Sequence, residues 1–170
     1  MARYRRKKRK VHPVIWFVCS VVILIGLTSW FYTTIQQPLW QEREAARQLI
    51  LQQSKLDQIN EILPFIEEDK YYIATGTDQE GRSMVVWVKE DEVYEAYTAD
   101  NYSATLVRQQ LLEEEPAANI IRLVPGVYQN EYAWEVYYEK EEEDGSRRYY
   151  TYYRFRDGEK LDTYRLPLQH

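Results

Sequence analysis

The chain reads as α+β: one N-terminal helix of membrane-crossing length, then two small units in tandem, each a helix packed on an antiparallel sheet. Three observations predict this. An uncharged apolar run of 22 residues, VIWFVCSVVILIGLTSWFYTTI, occupies 14–35. Beyond it, runs rich in valine and tyrosine are separated by short turns bearing glycine and acids, the pattern of antiparallel meanders. A helix followed by such a meander occurs twice, which points to duplication of one unit.

At about 1.5 Å per residue, a 14–35 helix is roughly 33 Å long and matches a hydrocarbon core of ~30 Å. In front of it, Arg3, Arg5, Arg6, Lys7, Lys8, Arg9 and Lys10 crowd a basic tail, residues 1–13, and the next cation is Arg43. Positive charge is retained on the cytoplasmic side, so the tail is expected inside and 36–170 outside. The basic cluster then faces anionic inner-leaflet lipids. Trp16, Trp30, Phe31 and Tyr32 lie near the two ends, where amphipathic rings favour the interface. Two other readings compete. A core helix of a soluble domain would need a polar stripe. A cleaved signal peptide would need an apolar region of about 7–15 residues and a small-residue cleavage site, neither of which is present. Cys19 reads as a thiol buried in the membrane, because Trp16-Phe17-Val18 lacks the small residues that precede a lipidated cysteine.

The charges divide sharply. Setting the seven leading cations aside leaves 15 Lys+Arg against 27 Asp+Glu, a net −12 for the remainder. Such a surface argues against nucleic acid, whose phosphates require basic partners. Cys19 is the single cysteine. The outer part therefore has no disulfide, which excludes a stapled scaffold and suits a compartment without oxidative folding, as in many Gram-positive bacteria. About 130 residues there support one core or two very small ones.

The first unit is assigned to 36–98 and the second to 99–170. Gln36-Gln37-Pro38 reads as a short exit from the bilayer. A helix is then predicted with Ala46, Leu49, Ile50, Leu56, Ile59 and Leu63 on one face, ended by Pro64. Leu49, Leu56 and Leu63 also fit a heptad and allow a coiled-coil dimer, but Gln52 and Gln53 fall where that seam wants apolar residues. Strands follow at 71–74, 84–88 and 93–97, divided by a polar turn at 76–83 and an acidic one at 90–92. Ser103 is a candidate N-cap for a second helix whose apolar face is Leu106, Val107 and Leu111, with Pro116 beyond it. Four more strands are expected at 120–128, 132–139, 147–155 and 159–166, and the last two connections contain Asp-Gly, a hairpin signal. Aligning the meanders sets Gly81 with Gly145 and Tyr97 with Tyr164.

The basic head with one anchor, KYYIATGTDQEGRSMVVWV (70–88), the Ser-initiated helix at 103 and WEVYYE…YYTYYRFRDGEKL (134–161) together resemble the cell-wall elongation regulator TseB-like (YpmB) family. The last segment is also similar to the C-terminal hairpin of PepSY domains. The resemblance spans 14–166 and implies two consecutive cystatin-like (PepSY-like) units. The chain departs from the family pattern in a longer acidic turn, Glu139 to Asp144, and in its density of tyrosine.

Catalytic chemistry is tested by subtraction. The histidines are His12, at the membrane boundary, and His170, so a Ser-His-Asp triad or Cys-His pair lacks a base outside. Zinc needs clustered His or Cys, and a phosphate loop needs G-x-x-x-x-G-K-[ST]; neither occurs. The acidic runs at 67–69, 90–92, 113–115 and 141–144 fall in predicted turns and helix ends rather than across a cleft. The Asp78-Gln79-Glu80 turn lacks the ligand spacing of a calcium loop. No enzyme, cofactor or metal is expected.

Aromatics are more informative, since fourteen of the sixteen tyrosines lie beyond residue 35. Alternation along 147–155 puts Tyr149, Thr151, Tyr153 and Phe155 on one face, assigned to the core. It puts Arg148, Tyr150, Tyr152 and Arg154, with Arg156 just beyond, on the other. Tyr and Arg are enriched at protein–protein hot spots, so this strip is the candidate partner surface; exposed tyrosines that merely suit a strand are the alternative. Trp87 and Trp134, both mid-strand, are assigned to the core. What the resemblance implies is a non-enzymatic, membrane-anchored extracytoplasmic regulator of cell-wall elongation that binds a penicillin-binding transpeptidase of lateral wall synthesis. Alternatives are a PepSY-type inhibitor or chaperone of an extracytoplasmic peptidase, and a peptidoglycan-binding module.

Overall fold

A computed structural model describes residues 13–143 and 145–167; side chains at 13–16, 18–19, 29 and 31–39 lie outside the description. The basic cluster Arg3–Lys10, His12, His170 and the Cys19 side chain therefore fall outside the described residues. The chain divides into two compact units, Met1–Glu42 and Arg43–His170. Helix α1 spans Pro13–Gln53 and belongs to the first unit up to Glu42. Among the described residues, no helix is long and apolar enough to cross a membrane. The anchor expectation thus rests on the sequence of 14–35, part of whose side chains are not described.

Two readings of the first half are corrected. Gln36-Gln37-Pro38 does not interrupt the helix, since Pro38 lies inside α1. The helix does not continue to Pro64 either. It stops after Gln53, where Ser54 turns the chain: its Oγ donates to the Ile50 carbonyl at 2.7 Å and accepts the Leu56 N–H at 3.2 Å. Asp57 then donates its N–H to the Thr77 carbonyl, and strand β1, Gln58–Ile66, begins. The spacing of Ala46 to Leu63 is the sum of one helix end and one strand, so the heptad reading falls with it. Pro64 sits within β1, which tolerates it because an edge strand needs no donor on its outer side.

The remaining strands of the first sheet are β2 (Lys70–Thr77), β3 (Ser83–Lys89) and β4 (Glu92–Tyr97), in the antiparallel order β1-β2-β3-β4. Helix α2, Ala104–Glu114, is capped as expected: Ser103 Oγ accepts the Leu106 N–H at 3.4 Å. The second sheet has the order β5-β6-β7-β8, with β5 Asn119–Tyr128, β6 Glu131–Glu142, β7 Gly145–Arg154 and β8 Lys160–Arg165. Glu139–Glu142 are paired strand residues of β6 rather than a long acidic turn.

The first elements of the two halves correspond at one constant offset. Ala46 matches Val107 and Ile50 matches Leu111, all four buried under their sheets. Pro64 matches Pro125, and β1 and β5 carry equivalent register shifts, between Ile59 and Glu61 and between Ile120 and Arg122. Further on, register pairs Met84 with Tyr97 and Tyr149 with Arg165, so Tyr97 corresponds to Arg165 rather than Tyr164.

Each half has a helix-covered face. Ile50 and Leu56 cover Ile62, Ala74, Met84, Val86 and Val88 of the first sheet, while Val107 and Leu111 pack with Val136, Tyr138, Tyr149 and Tyr153 of the second. This second core continues onto the far face of the first sheet, taking in Tyr71, Ile73, Val85, Trp87 and Ala96. Trp87 is the junction. Its indole N–H donates to the Gly126 carbonyl at 3.0 Å, and its ring meets Tyr132 and Phe155 at 4.9 and 4.8 Å. Tyr94 stacks on Tyr132 at 4.0 Å. One core therefore draws on both sheets.

Candidate interaction face

The second sheet has its helix on one face only, and alternation along β7 decides which side chains point away from that helix. Tyr149, Thr151, Tyr153 and Phe155 are buried, as expected. Arg148 and Arg156 are exposed, and Tyr150, Tyr152 and Arg154 are half-buried. The structure brings these β7 residues together with neighbours that alternation on one strand does not reveal. Cross-strand register sets Glu139 beside Arg148, Tyr137 beside Tyr150 and Glu135 beside Tyr152. On the other side, Tyr164 lies opposite Tyr150 and Asp162 opposite Tyr152.

These pairs interact. Tyr137 stacks on Tyr150 at 4.7 Å, and Tyr152 stacks on Tyr128 at the same distance. The buried Glu135 carboxylate accepts from Arg122 at 2.6 Å and from the Tyr152 hydroxyl at 3.1 Å. Tyr128 donates to Asp162 at 2.6 Å and lies 2.8 Å from the Tyr164 hydroxyl. Burial first, and then the charge of Glu135, push the Tyr152 phenol well above its ordinary range. The hydrogen bond to Asp162 does most to push Tyr128 up. Asp162 is in turn held below the usual carboxylate range, chiefly by Tyr128. Both phenols stay protonated and act as donors.

The cations of the strip are not free-standing. Arg148 faces Glu139 at 3.8 Å, Arg156 faces Asp157 at 3.3 Å, and Arg154 is shared by Glu131, Asp157 and Glu159 at 3.4, 3.2 and 2.5 Å. The face is thus aromatic and charge-paired rather than a positive stripe. Rings that stack on one another hold each other in fixed positions. Tyr128, Tyr137 and Tyr164 escape a strand-by-strand reading; the signal that finds them is the pairing register.

Elsewhere, the Asp78 turn closes on itself. Its carboxylate accepts the N–H groups of Glu80 and Arg82 at 3.0 and 2.8 Å, Arg82 Nε at 2.8 Å and the Tyr97 hydroxyl at 3.0 Å. Burial raises the Asp78 pKa, but the Arg82 and Tyr97 hydrogen bonds outweigh it and bring it down to about 2. Among the described residues no group of three His, Cys, Asp or Glu is placed to hold a metal.

Comparison with known proteins places these features in context. A family model described as the cell wall elongation regulator TseB-like domain matches residues 45–89, the end of α1 and the strands β1 to β3. The probable cell wall elongation regulator TseB of Bacillus subtilis (strain 168) is 25% identical over 117 residues, 69% of this chain and 68% of that protein. The solved structure of the YpmB protein from Bacillus subtilis superposes with a TM-score of 0.62 at 22% identity, covering 73% of this chain and 97% of the other, a likeness of fold.

Proposed function

Since the chain belongs to the TseB-like (YpmB) family, we propose that it is a non-enzymatic regulator of cell wall elongation that works by protein contact. In this reading the apolar run 14–35 anchors the chain in the cell membrane with the N-terminus cytoplasmic, the basic tail Arg3–Lys10 rests on inner-leaflet lipids, and 36–170 is extracytoplasmic. Within Arg43–His170, the strands of the two assigned units share one core at the Trp87 junction. The chain's partner is a penicillin-binding transpeptidase of lateral wall synthesis. The observation that carries the reading is the helix-free face of the second sheet, where Tyr150 and Arg148 stand among stacked, hydrogen-bonded rings. Tyr and Arg anchors held rigidly in place are the residues that dominate contact energies.

Chemical cross-linking in membranes, followed by purification of the full chain and identification of what it captures, tests this. Recovery of the transpeptidase is expected, and the double variant Arg148→Ala/Tyr150→Ala should lose it while its thermal midpoint stays within a few degrees. Tyr152 and Arg154 are poorer test positions, because Tyr152 bonds to Glu135 and Arg154 to three carboxylates. Capture of a peptidase in place of the synthase, or of purified peptidoglycan without protein, would replace the proposal.

A further inference from the structure

Adjoining the β7 face, residues of the edge strands of the two sheets line a common trough. Two adjoining cavities of about 280 and 220 Å³ share Leu63, Ile73, Val124 and Pro125 in their linings. Their walls are β1 and β5, each the first strand of its sheet, so each has an outer backbone edge to which no strand is paired among the described residues. Buried Ile73 and Trp134 lie at the base. Large apolar side chains stand exposed on both strands, Ile66 at 74% and Ile121 at 48%. The trough opens from the core shared by the two sheets, to which Phe65 and Leu123 also belong.

Charge decides what fits. Alternation along β1 sets Glu61, Leu63 and Phe65 on one side, and a second carboxylate, Glu67, stands just past the end of the strand, where it accepts the Gln129 N–H at 2.7 Å. Glu61 lines one cavity and Glu67 the other. The one cation in the combined lining, Arg122, is already bonded to Glu135 at 2.6 Å. The two acids are about six residues apart along the chain, at most roughly 20 Å.

We propose that the trough between β1 and β5 accepts an extended segment of a partner protein, carrying two aliphatic side chains at alternate positions and a lysine or arginine beyond each. The segment adds as a strand to a free edge; its backbone supplies hydrogen bonds, its aliphatic side chains fill the two cavities, and its cations meet Glu61 and Glu67. This does not depend on the wall-regulator reading, because the backbone edges it uses are those of β1 and β5, although Glu135 and Tyr152 of the β7 face also line one of the two cavities.

The test uses the full chain in nanodiscs of neutral phosphatidylcholine and a fluorescein-labelled peptide, Lys-Thr-Val-Thr-Val-Thr-Lys. Controls are its glutamate-ended counterpart and a version with proline at the central threonine. Fluorescence anisotropy is expected to show saturable binding of the lysine-ended peptide, about tenfold tighter than the glutamate-ended one, and none of the proline version. Val124→Trp, which fills the trough, should weaken binding by at least about tenfold, and Glu61→Lys with Glu67→Lys should reverse the preference. Hydrogen exchange on the unaltered protein keeps the idea testable if Val124→Trp fails to fold: the peptide should slow amides in 58–66 and 119–128. Equal binding of the proline peptide, indifference to Val124→Trp, or protection confined to 145–165 would overturn it. So would a dimer that protects the trough amides and that the peptide does not disperse, since the occupant would then be a second copy.

Discussion

Asp78 shows how a single side chain can hold a turn closed. Its two oxygens take four donors, from Glu80, Arg82 and Tyr97, and leave nothing for a cation. Because its folded pKa is depressed to about 2, the carboxylate remains ionised in the folded state at pH values where the unfolded chain has taken up its proton. Its stabilisation is fully present above the unfolded value of 3.8 and is lost as pH falls through the folded one. Asp78→Asn should therefore flatten the loss of stability between pH of about 4 and 2, measured as denaturant midpoints across that window. An unaltered slope would mean that other carboxylates carry the acid response. The motif was legible as a turn in Gly76–Ser83. The enclosure was not, because Tyr97 reaches it only through the β3–β4 register.

Among the elements, the strands of the second half were legible because tyrosine and valine alternate so regularly there. Alternation from Arg147 to Phe155 sorted inside from outside, since a side-chain period of two leaves no other choice once one face is buried. The pairing of Arg148 and Arg154 with acids was not legible, because it depends on which residues of β6 and the β7–β8 turn come to lie opposite. The end of α1 was misread for another reason. Ile59 and Leu63 continue the spacing of Ala46 and Ile50 by coincidence, and Pro64 looks like a helix stop unless the strand holding it is known to be an edge. The last turns of α1 nonetheless do what was expected of that helix, covering the first sheet. Ile50→Ala should accordingly cost ~2–5 kcal/mol, as should Leu111→Ala at the matching place under the second sheet. Chemical denaturation measures both, and a cost below about 1 kcal/mol at Ile50 would show that α1 leaves that sheet uncovered.

At the scale of the molecule, the sequence suggested two units, and within Arg43–His170 their two sheets share one core. Trp87 is buried and its indole N–H satisfies the carbonyl of Gly126 in the other sheet. Trp87→Phe keeps a ring but strands that carbonyl, a cost of about 1–3 kcal/mol. Native-state hydrogen exchange should then show β2–β3 and β6–β7 amides losing protection together. Faster exchange in the first sheet alone would mean that the two halves open independently. The trough, like the junction, was invisible in the sequence: β1 and β5 lie far apart along the chain and become neighbours only through the packing of the second half on the first.

The shared core also has a consequence for a chain made from its N-terminus. Synthesis delivers β1 to β4 first, and their hydrogen-bonded ladder is complete once Tyr97 has emerged. The face bearing Tyr71, Ile73, Val85 and Trp87 has no cover until Tyr132 and Phe155 arrive. For that interval the nascent protein displays a sticky aromatic sheet to whatever surrounds it. The sooner the second half follows the first, the shorter that exposure lasts.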